Sequence, residues 1–481
     1  MITLNRIHII AAIIISAILL VSIGSYMLNP TSSPSPEPFY VGVTYCGESS
    51  EEAKQLIDRV KNYTNLFVLQ SGSLQEFSDK INEIGDYAIS SGMSFIVYFG
   101  VDKWWFLGNW LETYEDQWGD QFLGVYYGDE LGGKILEHEA DLWDRDTNSS
   151  WLKYHDSRGA HIQGKIDENT TINYWSTGII KLSITETSGS PYNNEGLPDP
   201  SFLNHTYTHI NYYPNGTIII KISDDVDPFP KIVEDYNLTY TYDELVNMHP
   251  FRTYDEIAEG FIGGLHQRLL RGPKKETIIP AFIADYALYW FDCKAGYDVV
   301  LASFGWNHTL TQDIALVRGA AKLQNKKWGA IITWKYNHPP YLDSGEAIYD
   351  QMCMAYEAGA EYVVIFNYAE EMEGAYGTLQ EEHFVALERF WNDVVQSSAV
   401  KHGSVKAEAV LVLPENYGWG MRDPDDKIWG LWGPDEKSQQ IWELSRNLLE
   451  QYGLGLDIVY YDSQFPFEGK YGQIFYWNQT T

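Results

Sequence analysis

Gly124-Val-Tyr-Tyr-Gly-Asp129-Glu130 is a short apolar run that ends in two adjacent carboxylates. Comparable apolar runs, most of them separated by helical patterns, occur eight times between residues 39 and 398, and this run is the fourth. In a closed barrel of alternating parallel strands and helices, the carboxyl ends of all strands open onto the face that carries the active site. Asp129 and Glu130 are therefore the first candidates for chemistry.

The eight runs are rich in β-branched and aromatic residues, which predicts strands. They cover residues 39–46, 66–72, 94–100, 122–130, 277–285, 298–305, 328–337 and 361–368. Apolar residues at spacings of three and four predict helices over residues 51–62, 74–91, 254–270, 311–324, 345–358 and 379–395. Gly92, Gly296 and Gly359 follow helical segments and predict left-handed helix ends. The alternation predicts an α/β fold, a (β/α)8 barrel over residues 39–398.

Two segments fall outside this alternation. Between residues 132 and 250 the helical pattern disappears, residues 207–223 predict a hairpin around Pro214-Asn215-Gly216, and residues 172–187 predict further strand structure. A β-rich insertion therefore follows the fourth barrel strand, either as a lid or wall of a substrate cleft or as surface decoration. Residues 405–481 predict the order β-α-β-β, which is a small α/β unit.

Charge and cysteine content exclude several classes of partner. The formal net charge is -33, whereas a nucleic-acid surface or a polybasic attachment to anionic lipid needs clustered Lys and Arg. Cys46, Cys293 and Cys353 are too few and too scattered for a disulfide framework or a zinc site. The acidic loops at residues 224–227 and 422–426 lack EF-hand spacing. We therefore expect buried free thiols, no metal, no cofactor and no nucleic-acid partner.

The N-terminal residues predict where the protein is located. Residues 7–28 are almost wholly apolar and follow Arg6, so residues 1–28 predict a membrane anchor that leaves the globular part outside the cell. A cleaved signal peptide is the alternative, since residues 22–24 are mostly small, and the protein would then be secreted. Residues 29–38 form a proline-rich linker. Glycosylation sequons also favour an extracellular location; they begin at Asn62, Asn148, Asn169, Asn204, Asn215, Asn237, Asn307 and Asn478.

Aromatic and hydrogen-bonding residues are frequent at the predicted strand ends. Flat aromatic faces suit the C–H faces of sugar rings, and amide or ammonium groups satisfy sugar hydroxyls. The candidate substrate-binding residues are Tyr45, Gln70, Tyr98, Tyr127, Tyr286, Trp306, Asn307, Trp334, Lys335, Tyr336, Asn367 and Tyr368. The alternative for each aromatic residue is core packing, because alternate residues of a barrel strand point inward and outward.

Two strand-end carboxylates are the candidate catalytic groups. Glycoside cleavage needs an acid for the leaving oxygen and a second carboxylate that attacks carbon or activates water. We expect Glu130 to be the general acid and Asp285, at the end of the fifth strand, to be the nucleophile or base. Asp129 and Glu130 alternate in direction, so one faces the cavity and the other bonds to a loop. Alternatively, Glu130 caps a loop and Asp285 caps a helix; Glu370 and Glu371 are further candidates.

Residues 39–398 resemble the TIM-barrel glycoside hydrolases, through Tyr127-Gly-Asp-Glu130, the aromatic strand ends and Trp334-Lys-Tyr336. In the largest clan of these enzymes, an Asn-Glu pair after the fourth strand supplies the acid/base and a Glu after the seventh strand supplies the nucleophile. Here the pair is Asp129-Glu130, and residues 333–337 contain no carboxylate. The resemblance therefore implies either a carboxylate pair on the fourth and fifth strands, as other clans use, or a barrel that binds sugars without cleaving them.

The C-terminal unit is similar to the flavodoxin-like or amidotransferase-like domain that follows the barrel in some β-galactosidases. Together these features predict a membrane-anchored extracellular glycoside hydrolase-like protein that acts on a polysaccharide or glycan. The main alternative is a non-catalytic glycan-binding or cell-surface scaffold protein. A third class is a barrel enzyme of other chemistry, such as a polysaccharide lyase or deacetylase, although the sequence shows no metal-ligand cluster for a deacetylase.

Overall fold

The computed structural model describes residues 38–113, 118–137, 151–156, 159–165, 170–175, 180–187, 205–212, 218–224, 253–275, 279–306, 308–368, 375–397 and 399–479. The strands are β1 (Tyr40–Tyr45), β2 (Leu66–Leu69), β3 (Ser94–Tyr98), β4 (Phe122–Asp129), β5 (Trp151–Asp156), β6 (Gly159–Lys165), β7 (Thr170–Trp175), β8 (Ile180–Thr187), β9 (His205–Tyr212), β10 (Ile218–Asp224), β11 (Ala281–Asp285), β12 (Val299–Phe304), β13 (Lys327–Ile332), β14 (Tyr362–Ile365), β15 (Ala409–Leu413), β16 (Leu456–Tyr460) and β17 (Gln473–Tyr476).

The helices alternate with the barrel strands and continue into the C-terminal unit. They are α1 (Ser50–Val60), α2 (Ser78–Ser90), α3 (Trp104–Thr113), α4 (Leu131–Leu136), α5 (Tyr254–Arg271), α6 (Tyr289–Ala295), α7 (Leu310–Gln324), α8 (Gly345–Ala358), α9 (Glu381–Phe390) and α10 (Glu436–Tyr452). Short single turns lie at Ser73–Glu76, Gly119–Gln121, Trp391–Val395 and Gly453–Gly455.

Eight parallel strands close into a barrel in the order β1-β14-β13-β12-β11-β4-β3-β2. The chain therefore has a (β/α)8 TIM-barrel fold, which confirms the sequence prediction. Every predicted barrel strand is present, each shorter than predicted. Gly92, Gly296 and Gly359 have φ values of 85°, 115° and 92°, so the predicted left-handed helix ends are confirmed.

The barrel interior is filled by side chains from alternate positions of the strands. The buried members are Leu66, Val68, Ile96, Tyr126, Phe282, Ala284, Val299, Leu301, Ile331, Tyr362 and Val364. Tyr40 stacks on Tyr362 with ring centroids 5.2 Å apart. Full burial of one such large apolar side chain stabilises the fold by about 1.5 to 3 kcal/mol, so this packing holds the strand ends in place.

The insertion after α4 contains a six-stranded antiparallel sheet in the order β10-β9-β8-β7-β6-β5. The predicted hairpin is confirmed by the pairing of β9 with β10, although its turn lies outside the described residues. The further strand structure predicted over residues 172–187 is present as two strands, β7 and β8, which pair antiparallel. The connection between them, residues 176–179, lies outside the described residues.

The C-terminal unit is a three-stranded parallel sheet in the order β16-β15-β17 with helix α10, as the sequence predicts. It is joined to the barrel helix α7 by a buried ion pair. Arg318 Nε donates to Asp457 Oδ1 at 2.7 Å, and Tyr471 donates to the other carboxylate oxygen at 2.8 Å. Asp457 is fully buried, and Lys322 Nζ, 3.7 Å from Oδ2, adds a second positive charge beside it, so the buried carboxylate is well paired.

Helices α3, α4 and α6 are absent from the sequence prediction. Helix α4 has only six residues and includes two glycines, while α6 has seven residues that are mostly buried and therefore show no amphipathic period. The N-terminal segment, residues 1–28, and residues 29–37 of the linker lie outside the described residues. Within the described part of the chain, no helix combines the length and apolar character that crossing a bilayer requires.

A buried acid lies on α6. Asp292 is fully buried, and neither of its carboxylate oxygens has a hydrogen-bond partner among the described residues. Burial raises the pKa of Asp292 well above its ordinary value, and the neighbouring charge of Asp285 raises it further. The folded protein therefore holds Asp292 in its protonated form, since an unpaired buried carboxylate is costly.

We expect Asp292 to weaken the fold as the pH rises. Its folded pKa lies above its unfolded value of about 3.9, so its stabilising contribution is complete below about pH 4 and is lost as the pH rises through the folded pKa. The pH dependence of the free energy of unfolding should be less steep in Asp292→Asn than in the wild type. Urea titrations from about pH 4 to about pH 8 measure this.

The control is Asp350→Asn, which removes an exposed acid from α8. This variant should show the wild-type pH dependence. Equal slopes for the wild type and Asp292→Asn would contradict the assignment of a protonated Asp292.

Candidate functional site

Strand β4 carries one extra residue where it pairs with β11. Tyr126 pairs with Phe282 and Asp129 pairs with Ala284, so residues 127–128 stand opposite a single residue of β11. Phe282 and Ala284 both face the barrel interior. The bulge therefore turns Asp129 inward together with Tyr126, whereas a regular strand would point residue 128 inward.

Gly128 makes this bulge possible. Its φ is 137°, a backbone conformation that residues with side chains rarely adopt. A Cβ atom at this position would lie 2.7 Å from the hydroxyl of Tyr297. That hydroxyl donates to the carbonyl of Tyr127 at 2.6 Å and so holds the bulged segment against the helix layer.

Asp129 is bound by a tyrosine of its own strand. The Tyr126 hydroxyl donates to Asp129 Oδ1 at 2.5 Å, and the ring of Tyr98 packs edge-on against Tyr126 at 5.2 Å. Burial raises the pKa of Asp129, while the bond from Tyr126 and the charge of Lys134 lower it. Because both partners favour the charged form, Asp129 is the group of this pair better suited to carry a negative charge.

Glu130 lies at the point where β4 turns into α4. Its φ is 58°, a left-handed conformation that is uncommon for a residue with a side chain, and its N–H donates to Ala284 O at 2.7 Å. About a third of its side chain, 32%, is exposed, and Lys134 Nζ lies 3.9 Å from Oε2. Burial, followed by the charge of Asp129, raises the pKa of Glu130 to about 8. Glu130 therefore retains a proton at neutral pH.

Asp285 does not reach the barrel mouth. It follows the inward-facing Ala284, so its side chain lies on the helix side of the wall, where it is 0% exposed. Its carboxylate accepts four backbone N–H bonds, from residues 132–133 at the start of α4 and from residues 286–287. Burial raises the pKa of Asp285 to about 7, against the lowering effect of these donors. These contacts are those of a residue that holds a turn.

The predicted substrate-binding residues fall into two groups. In the first group, side-chain polar atoms already form hydrogen bonds with neighbouring residues of the chain. Tyr127 is fully buried and donates to Val101 O, while Tyr45 bonds to Ser49 and Glu52. Asn367 accepts bonds from residues 378–379. Tyr45 and Asn367 also line a small cleft beside α1.

The second group lies at the carboxyl ends of the strands, around the mouth: Gln70, Tyr98, Tyr286, Trp306, Trp334, Lys335, Tyr336 and Tyr368. Asn307, Glu370 and Glu371 lie outside the described residues.

Two polar atoms of this second group are buried and unsatisfied. Gln70 Oε1 and Trp334 Nε1 have no hydrogen-bond partner among the described residues. Gln70 follows β2 and Trp334 follows β13, so both stand at the carboxyl end of the barrel. Leaving such an atom unpaired costs about 1 to 3 kcal/mol, which makes both atoms candidates for a ligand contact.

Aromatic rings form one wall of the mouth after β13 and β14. The ring of Trp334 lies 5.0 Å from Tyr341, 5.4 Å from Tyr368 and 6.0 Å from Phe366. Lys335 beside it is paired with Asp343 at 2.7 Å. The wall therefore presents aromatic faces and edges, with the nearby ammonium already neutralised.

Two residues that contact this region, Arg422 and Lys134, were not predicted from the sequence. Arg422 of the C-terminal unit donates to Glu137 at 2.8 Å and stands 5.5 Å from the ring of Tyr286. Lys134, one turn into α4, faces Glu130. Lys134 lies four residues after Glu130, a spacing that indicates a contact once a helix is recognised there, whereas no local pattern connects Arg422 with the site.

Sequence comparison adds little to this description. No protein-family model matches the chain, and no curated protein sequence matches it. Among solved structures, the chain is similar to a truncated form of 3-deoxy-D-arabino-heptulosonate 7-phosphate synthase from Thermotoga maritima. The identity is 7%, the match covers 77% of this chain and 92% of that one, and the TM-score is 0.32. At these values the similarity gives no information about activity, and the barrel is established by the strand pairing of this chain.

We expect Asp285→Asn to destabilise the protein by about 3 kcal/mol, because the amide can accept fewer of the four buried N–H bonds and brings its own donors toward them. Chemical unfolding at neutral pH measures this loss. Asp350→Asn, the exposed control on α8, should change the free energy of unfolding by less than about 0.5 kcal/mol. A variant Asp285→Asn as stable as this control would refute the structural role of Asp285.

Proposed function

We propose that this protein is a glycoside hydrolase-like enzyme that acts on a polysaccharide or other glycan by carboxylate acid catalysis at the barrel mouth. The observation that carries the proposal is the pair at the end of β4, with Asp129 turned inward beside Tyr126 and Glu130 at a raised pKa of about 8. A carboxylic acid that keeps its proton at neutral pH is what protonation of a leaving oxygen requires.

In this proposal the two carboxylates have different roles. Glu130 donates its proton to the glycosidic oxygen as the bond from that oxygen to the anomeric carbon breaks. Ionised Asp129 stabilises the positive charge that develops on the sugar ring. A water molecule then adds to the anomeric carbon and gives a proton to the Glu130 carboxylate, which restores the acid.

The surrounding groups fit a sugar ligand. Gln70 Oε1 and Trp334 Nε1 offer one acceptor and one donor without partners among the described residues. The Trp334 and Tyr368 rings stand on the side of the barrel opposite β4, since β14 is four strands away from it in the closed order. A sugar ring between this wall and the carboxylates would have an aromatic face on one side and the acid on the other.

A non-catalytic glycan-binding protein is the second candidate, and one observation favours it. Asp285 was the predicted second carboxylate, yet it is enclosed by four backbone donors. Both carboxylates left at the mouth come from the same strand end, whereas hydrolysis usually places two carboxylates on either side of the scissile bond. A barrel of this kind would bind sugars through its aromatic wall and leave them intact.

The proposed location is outside the cell. It depends on the apolar N-terminal segment, residues 1–28, acting as a single-pass anchor, or on its removal, in which case the protein is secreted. The partner in either case is a carbohydrate.

We expect Glu130→Gln to lower the release of reducing ends by at least about 100-fold, because the amide cannot donate the proton and general acid catalysis typically contributes a factor of about 10² to 10⁴. In the wild type, kcat should fall as the pH rises through about 8, where Glu130 loses its proton. The substrates for the assay are hydroxyethyl cellulose, xylan, glucomannan and soluble starch.

The control is Glu48→Gln, an exposed residue that follows β1 on the same face of the barrel, and its turnover should equal that of the wild type. Turnover by Glu130→Gln equal to the wild type would exclude Glu130 as the acid. Binding of a polymer without cleavage by the wild type would favour the second candidate.

A further inference from the structure

Large aromatic side chains are exposed at one end of the barrel. Five of the exposed large apolar residues follow the carboxyl ends of barrel strands: Phe77, Trp104, Trp105, Trp306 and Tyr336. The three tryptophans are exposed by 46%, 41% and 42%. Single exposed apolar residues need no explanation, but several tryptophans on one face are typical of a binding surface.

These residues form two platforms on opposite sides of the mouth. We call Trp104 and Trp105, in the first turn of α3, the first platform, and Trp306 and Tyr336, after β12 and β13, the second platform. In the closed strand order, β3 and β13 are separated by three strands in either direction, so they are opposite each other. Adjacent strands about 4.8 Å apart at a tilt of about 36° give a barrel diameter of about 15 Å.

The second platform is fixed to the mouth. The N–H of Trp306 donates to Trp334 O at 2.8 Å, which joins the loop after β12 to the loop after β13. Trp306 has a φ of 51°, an uncommon conformation for a bulky residue, and its N–H makes the bond to Trp334 O in that conformation. Its exposed ring is therefore held close to Trp334, whose Nε1 is one of the two unsatisfied atoms of the site.

The proposed acid lies between the platforms. Strand β4, with Asp129 and Glu130 at its end, is the neighbour of β3. A ligand that touches both platforms must span the mouth, a distance larger than a single pyranose ring, and it passes the carboxylates on its way. A carbohydrate ligand of this length is a chain of several sugars.

The charge of the protein decides which kind of chain fits. The net charge of -33 repels an acidic polymer, and Lys335 at the second platform is already paired with Asp343. Exposed rings with polar edges match uncharged sugar rings, which offer C–H faces and hydroxyls.

We propose that the barrel face binds a neutral polysaccharide chain lengthwise, from the first platform across the mouth to the second. Binding of this kind places an internal linkage of the chain at Glu130, so that a cut there would release long fragments. The cutting depends on the function proposed above, whereas the binding does not.

The test is affinity electrophoresis of the full chain carrying Glu130→Gln, so that no polymer is degraded. The gels contain hydroxyethyl cellulose, xylan, glucomannan or soluble starch, and polygalacturonate is the acidic comparison. We expect at least one neutral polymer to retard the protein and polygalacturonate to leave it unretarded. Adding Trp104→Ala with Trp105→Ala, or Trp306→Ala, should weaken the retardation about tenfold, while Trp306→Tyr should keep most of it.

The matched control is Tyr476→Ala, which removes an exposed aromatic residue from β17 and should leave retardation unchanged. Retardation by none of the four neutral polymers, equal retardation by polygalacturonate, or platform variants that behave like the control would each overturn the inference. Retardation by a polymer that the wild type does not cleave would leave the inference standing and defeat hydrolysis. Cleavage by the wild type of a polymer that the platform variants bind as tightly as the parent protein would support hydrolysis and overturn the inference.

Discussion

The carboxylate of Asp285 fixes the corner at which the barrel wall turns into the site. It binds two N–H groups at the start of α4 and two at the end of its own strand, so α4 begins directly behind Glu130. Gly132 and Gly133 permit this approach, since a Cβ on Gly133 would stand 2.1 Å from the ring of Tyr286. The position of the proposed acid therefore depends on a residue that never meets a ligand.

Strand alternation was enough to predict the barrel, because each of its strands is buried on both faces and reads as a continuous apolar run. It also placed Glu130 at a strand end. It could not predict that Asp285 faces the helices, since a continuous apolar run does not show which of its two faces is inward. The extra residue in β4 turns both Tyr126 and Asp129 inward, although regular alternation would point them to opposite faces. Gly128 is the local sequence feature that accompanies this bulge. Arg422 is brought in by tertiary packing alone.

The carboxyl groups at the ends of β4 and β11 and on α6 influence one another's protonation. Burial raises the pKa of both Glu130 and Asp292; the charges of Asp129 and Asp285 raise that of Glu130 further, and the charge of Asp285 raises that of Asp292 further. A well-packed structure tolerates this because burial elsewhere offsets the cost. The proton on Glu130 is thus a property of its neighbourhood, as is typical of functional sites.

The C-terminal unit is bound to the barrel by charged side chains that pair across the boundary between the two parts. Asp457 is buried against Arg318 of α7, and Arg422 is shared between Asp426 of its own unit and Glu137 behind α4. The two parts therefore constrain each other's evolution. A recombination event that exchanged this unit for an unrelated one would bury a lone arginine, so the pair of units is expected to be inherited and to diverge together.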